Sequence, residues 1–168
     1  KAVVILAGDA QGRDDYRGRL ESGIQMLGLE KSVRLVGHVA DMPAAFKAAH
    51  LAVVASTEPE AFGRAATEAQ VMACPVIATN IGAPPETVLA VPAVSAEERT
   101  GWLVPPGDSA ALADAMAEAM ALDTKARSAL GERARRHVLA CFALRTMRRQ
   151  TLAVYDELLG TSLAAKLP

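Results

Sequence analysis

Glu60 and Glu68 bracket the segment Glu60-Ala61-Phe62-Gly63-Arg64-Ala65-Ala66-Thr67-Glu68. One carboxylate precedes a Phe-Gly pair and the other follows it by the span of a short helix. A strand-like run, Leu51-Ala52-Val53-Val54-Ala55, leads in, and a second, Pro75-Val76-Ile77-Ala78, leads out. The unit reads strand, loop, helix, strand, with both acids near the end of the first strand. In open parallel α/β sheets that crevice is where ligands bind. Gly63 carries no Cβ and so lets backbone approach a ligand closely. A helix starting near Phe62 or Gly63 would aim its first N–H groups at the loop mouth, which favours an anion such as phosphate. A carboxylate can accept from two adjacent hydroxyls, as in a ribose diol or a sugar ring, and such charge-assisted bonds are the strong ones. A ligand anionic in its middle and hydroxyl-rich at its ends, such as a nucleotide-sugar, fits this pattern. On spacing alone a plainer account stands beside it, with one glutamate favouring a helix N-terminus and the other a solvated helical residue.

The elements that must position these residues alternate along the chain. Residues 2–7 form an uninterrupted apolar run, as expected of a strand buried on both faces. Residues 8–12 form a turn whose glycine spacing fails the dinucleotide fingerprint. A helix to about Leu27, a strand at 33–36 and a short helix from Asp41 to Ala49 follow, with Asp41 as a plausible N-cap. The 51–55 strand, the Glu68 helix and the 75–78 strand come next. After them, Pro84-Pro85-Glu86 opens a helix or turn, residues 91–99 read as a surface loop, and Trp102-Leu103-Val104 is a last strand. Asp108 or Ser109 caps an alanine-rich helix with Leu112, Ala115, Met116, Ala119 and Met120 on one face. This alternation predicts an α/β fold, a Rossmann-like doubly wound parallel sheet flanked by helices.

Five segments, in one order, carry a resemblance. The longest is Glu60-Ala-Phe-Gly-Arg-Ala-Ala-Thr-Glu68 continued through Ala-Gln-Val-Met-Ala-Cys-Pro75-Val-Ile-Ala-Thr79. The others are Val4-Ile-Leu-Ala-Gly8-Asp9, Val33-Arg-Leu-Val-Gly37-His-Val39, Gly82-Ala-Pro-Pro-Glu86 and Thr100-Gly-Trp-Leu-Val-Pro-Pro-Gly-Asp108. Together they resemble the C-terminal, donor-binding domain of the family-4 retaining glycosyltransferases, one half of a GT-B fold, over essentially the whole chain. The resemblance implies a transferase that moves a sugar from a nucleotide diphosphate sugar to an acceptor, in cell-surface glycan or lipopolysaccharide synthesis. It implies Glu60 as the catalytic carboxylate at the transferred sugar. Phe62 and Gly63 would meet sugar or phosphate through their backbone, and Glu68 would hold the ribose diol. Gly8, Gly37 and Val39 would face the nucleotide, and Asp41 is a further candidate for a base or ribose contact. Arg64 would either reach a phosphate or point to solvent.

The sequence departs from the family pattern in places. Ala73 stands where glycine is usual at the end of the signature helix, and Ala83 replaces the second glycine of a Gly-Gly pair. The family's Arg and Lys for the pyrophosphate lie upstream of the first strand, so the resemblance implies an absent N-terminal acceptor domain. Residues 1–168 are then one nucleotide-sugar-binding domain, inactive in isolation, whose last helix, about 142–160, crosses to that domain. A nucleotide-sugar epimerase of the same architecture and a non-catalytic nucleotide-binding module are the alternatives.

Composition bounds the partners. The 168 residues are 51% hydrophobic and 4% aromatic, an aliphatic balance that suits a buried α/β core. A net charge of -1 gives no pointer to nucleic acid. Cys74 and Cys141 lie far apart, and His38, His50 and His137 do not cluster, so no metal site or cofactor is read. The family generally needs no metal, and no Asp-x-Asp is present. No apolar run is long enough to span a bilayer. The basic stretch Lys125–Arg149 reads as a solvated face or as a surface for anionic headgroups. A cytoplasmic enzyme, with peripheral contact at the inner membrane face, is the corresponding expectation.

Overall fold

Two short apolar runs begin the chain and pair in parallel in the computed structural model, which describes residues 2–10 and 12–167. They form β1 (Val4–Ala7) and β2 (Val33–Gly37), joined by α1 (Asp14–Met26). The register runs from Val4 opposite Val33 to Ala7 opposite Gly37, with an irregularity between Leu6 and Ala7. Gln11, within the expected turn, lies outside the described residues. β1 is not buried on both faces as its composition suggested. Val4 and Leu6 are half-buried, while Ile5 on the opposite face is 50% exposed. Apolar composition fixes what a strand tolerates on each face, not what covers it.

The chain divides into two compact units, Lys1–Ala45 and Phe46–Pro168, and α2 (Met42–Ala48) runs across the boundary. Asp41 is its N-cap: Ala44 N–H donates to Asp41 Oδ1 at 2.9 Å, the role expected from its position.

The second unit holds a three-stranded parallel ladder in the order β3 (Ala52–Val54), β4 (Val76–Thr79), β5 (Gly101–Val104). β4 is central and buried along its whole length. Strand side chains alternate between faces, and the packing follows. Val76 and Ala78 join Ala66 and Ala69 of α3 (Arg64–Val71) on one side. Ile77 joins Trp102, Val104, Leu130, and Ala115 and Ala119 of α5 (Ser109–Ala121) on the other. Helices therefore cover both faces of a parallel sheet, the doubly wound arrangement the alternation predicts. Met120, expected on the buried face of α5, is 49% exposed; Leu112 and Met116 pack partly against the core. Asp108 caps α5 by accepting from Ala111 N–H at 2.9 Å. Glu118 of α5 accepts from Trp102 Nε1 at 2.9 Å and from Arg99, tying β5 to that helix. Burial raises the Glu118 carboxyl, but those two donors and the Arg99 charge outweigh it and hold the group below its ordinary value.

α4 (Pro84–Thr87), α6 (Thr124–Cys141) and α7 (Leu144–Leu159) complete the unit. α3 and α6 meet at close range because Gly131 has no side chain; a Cβ there would lie 2.1 Å from the Ala73 carbonyl oxygen. Ala73 itself is left-handed, with φ 56°. A left-handed L-residue costs about 1–2 kcal/mol, and the added unfolded-state freedom of glycine returns about 0.4–1 kcal/mol of that. Ala73→Gly is thus expected to stabilise the protein by roughly 0.5–1 kcal/mol, read from a denaturant midpoint with an unchanged slope.

Candidate functional site

The loop after β3 takes its shape from four residues. Ser56 Oγ donates a hydrogen bond to Glu60 Oε1. Thr79 Oγ1, at the end of β4, donates to the Ser56 carbonyl at 2.7 Å, so the neighbouring strand holds the residue that holds the carboxylate. The Glu60 backbone forms an isolated parallel bridge with Gly82, and Ala83 N–H donates to Glu60 O at 2.9 Å. Gly82 permits this approach because any Cβ there would sit 2.6 Å from both the N and O of Glu60. Glu60 is consequently a half-buried carboxylate fixed at side chain and backbone alike.

α3 begins immediately afterwards. Gly63 is its N-cap at φ 70°, a left-handed conformation that glycine adopts without strain. Ala66 and Thr67 N–H already bond the Gly63 carbonyl, and no side chain caps the helix. The backbone N–H groups ahead of them belong to the first turn, where anions are favoured. A Cβ on Gly63 would come within 3.3 Å of Pro84 and 3.7 Å of Glu60 Oε2, so the helix start, the carboxylate and α4 are close neighbours. Phe62 is 43% exposed, and its ring meets Phe142 edge-on at 6.0 Å.

Glu68 lies on α3, and its Oε1 accepts from Arg64 Nη2 at 2.8 Å and Nε at 3.1 Å. The Arg64 side chain is 82% exposed. Arg64 therefore sits against Glu68, and an exposed pair at this spacing is worth only about 0.3–0.5 kcal/mol. Either partner can be drawn away by a ligand at little cost.

The remaining expected residues lie in the first unit. Gly8 follows β1 and Gly37 ends β2, at φ 139° and 69°, and Gly8 N–H donates to Gly37 O at 2.8 Å. Both line a pocket of about 290 Å³ with Asp9, Tyr16, Arg17 and Leu35 among its walls. A Cβ on either glycine would meet nothing within 4 Å, so both face open space. Val39 is half-buried in the loop leading to α2, and Asp41 is engaged as the cap described above.

Cys74, which is buried, and Cys141, which is exposed, are both free thiols. Burial pushes the Cys74 thiol up to about 11, which keeps it protonated and inert at neutral pH. Burial lowers His137 below its ordinary value. Among the described residues no cluster of His, Cys, Asp or Glu could hold a metal ion, and no helix is long and apolar enough to cross a membrane. Ser56 and Thr79 are positioning residues to which sequence reading gave no role, while Gly82 entered it only as the first glycine of the family's pair. The one available signal was a serine four residues ahead of Glu60 in a strand-exit loop.

Known proteins resemble the chain in sequence and fold. The family model described as "Glycosyl transferases group 1" matches residues 1–137. The lipopolysaccharide core biosynthesis mannosyltransferase LpcC of Rhizobium leguminosarum bv. viciae is 33% identical over 145 residues, 86% of this chain and 39% of that protein. A glycosyltransferase from Rickettsia africae superposes with a TM-score of 0.84 at 31% identity, over 96% of this chain and 41% of that one. HepE from Anabaena, solved with UDP and glucose, superposes at 0.81 with 31% identity, over 92% and 40% respectively. The chain spans less than half the length of these relatives. With its parallel α/β architecture and matching segments, the chain belongs to the group 1 glycosyltransferases, enzymes of the GT-B fold.

Proposed function

We propose that this chain is the donor-binding half of a retaining glycosyltransferase, taking a nucleotide diphosphate sugar. One observation carries the reading. The Glu60 carboxylate, fixed by Ser56 and by the Gly82 bridge, immediately precedes a helix start that no side chain caps. In this reading Glu60 faces the transferred sugar and stabilises positive charge developing at the anomeric carbon. The first N–H groups of α3, with Phe62 and Gly63, receive phosphate or sugar through the backbone. Glu68 accepts from the ribose hydroxyls, and Arg64 swings from Glu68 toward phosphate or solvent. Gly8, Gly37 and Val39 approach the nucleotide, with Asp41 committed first to its cap. The UDP and glucose held by HepE support a donor of this chemical class. The likeness to a lipopolysaccharide mannosyltransferase supports a role in cell-surface glycan synthesis, with a cytoplasmic enzyme at the inner membrane face.

The partner in this reading is an N-terminal acceptor domain of the same enzyme. α7 supports that part of it: the helix has no buried residue, and Leu144, Met147, Val154, Tyr155 and Leu158 are each more than half exposed. Those positions follow helical spacing and form one apolar stripe, which suits a helix that crosses to another domain.

Calorimetric titration of the chain with UDP, GDP and ADP tests the site. One base is expected to bind best. Glu68→Ala should weaken that binding about 10- to 100-fold, the value of hydrogen bonds to a charged acceptor. Arg64→Ala, which removes the ion pair and any phosphate contact but leaves the Glu68 carboxylate in place, separates loss of the ribose contact from loss of Arg64. Equal affinity in wild type and Glu68→Ala would remove Glu68 from the site.

A further inference from the structure

The Glu60–Gly63 loop is tied down at three points, and only one comes from neighbouring sequence. The carboxylate goes to Ser56, and the backbone goes to Gly82 and Ala83. The third tie is the Phe62 ring against Phe142, 80 positions later in the chain. Phe142 occupies a distinctive place. It ends α6, its N–H donating to Val138 O at 2.8 Å, and Ala143 then turns extended before α7 starts at Leu144. His137, five residues back on α6, also packs edge-on against Phe142, with ring centroids 5.8 Å apart. Phe142 thus contacts both the loop, through Phe62, and α6, through His137.

We propose that Phe142 is a positioning residue for the Glu60–Gly63 loop, coupling that loop to the α6–α7 junction. Edge-on aromatic pairs are directional and modest in strength, so their loss loosens a loop without unfolding a core. A helix break with one extended residue is where a chain absorbs a change in helix direction. A ring at that break that also touches the loop transmits such a change in both directions, since coupling between two sites is reciprocal. The loop's role in donor binding rests on the function proposed above; the coupling itself does not.

Amide hydrogen exchange on the ligand-free chain tests it. Phe142→Ala should speed exchange about three- to tenfold at the Ala83 amide, which donates to Glu60 O in the loop, while the β4 amides of Val76–Thr79 hold their wild-type rates. Phe62→Ala should produce a comparable acceleration at residues 142–146. Phe142→Tyr keeps the ring edge and should restore Ala83 exchange to within about twofold of wild type. Where circular dichroism shows Phe142→Ala to be unfolded, Phe142→Leu retains bulk without the ring and carries the same expectation. Wild-type exchange at Ala83, or equal acceleration at Ala83 and in β4, would overturn the proposal. Because no ligand is present, a failed donor titration leaves this result standing, and the reverse also holds.

Discussion

Gly82→Ala is expected to destabilise the protein by about 3 kcal/mol, the left-handed backbone and the collision each contributing. Gly82 sits at φ 71°, and an added methyl would fall 2.6 Å from two backbone atoms of Glu60. Neither neighbour is a flexible side-chain end that could step aside. The parallel bridge must open, and Glu60 moves with it. Chemical denaturation of the variant reads the first effect. The second appears as lost discrimination between a bare nucleotide and its sugar conjugate under conditions where the variant is folded. Stability within 0.5 kcal/mol of wild type, a change typical of a surface site, would show that the bridge is dispensable. The adjacent Ala83 makes the contrast: at φ -79° and ψ -23° it is ordinary right-handed backbone, so the second glycine of the family's pair is not sterically required here.

That pair shows what was legible in the sequence and what was not. The alternation of apolar runs with helical stretches located the strands and helices, because side-chain period is a local property. The left-handed turn at Ala73 was legible too, since glycine is the usual residue there and the backbone keeps the geometry when alanine replaces it. The exposure of Ile5 was not, because an apolar residue does not specify what covers it. Opposite charges four apart at Arg64 and Glu68 could have been read as an ion pair from spacing. Ser56 could not be read as the holder of Glu60. Its placement depends on Thr79 from the next strand, a contact that exists only once the parallel ladder has formed. The Phe62–Phe142 contact is less legible still, since it joins a strand-exit loop to a helix break at the far end of the unit.

In an active enzyme containing this domain, Glu60→Gln should lower kcat about 100- to 1000-fold, the scale seen when one electrostatic contact to a developing charge is removed. Glutamine keeps an oxygen where Ser56 donates and keeps the backbone bridge to Gly82, so the loop retains its shape. What it loses is the negative charge that the proposed function sets beside the anomeric carbon, a centre that would gain positive character only as the leaving diphosphate departs. An interaction made mainly in the transition state lowers kcat and leaves ground-state binding nearly untouched. Donor affinity, measured by direct titration, should therefore stay within about threefold. Ser56→Ala supplies the graded comparison: it retains the charge but frees the carboxylate to rotate, and a loss of about tenfold in kcat fits a positioning contact. A Glu60→Gln enzyme that turns over at the wild-type rate would take the carboxylate out of the chemistry and leave it a purely structural anchor for the loop. A Ser56→Ala enzyme as impaired as Glu60→Gln would show that the orientation of the carboxylate, and not its charge alone, sets the rate.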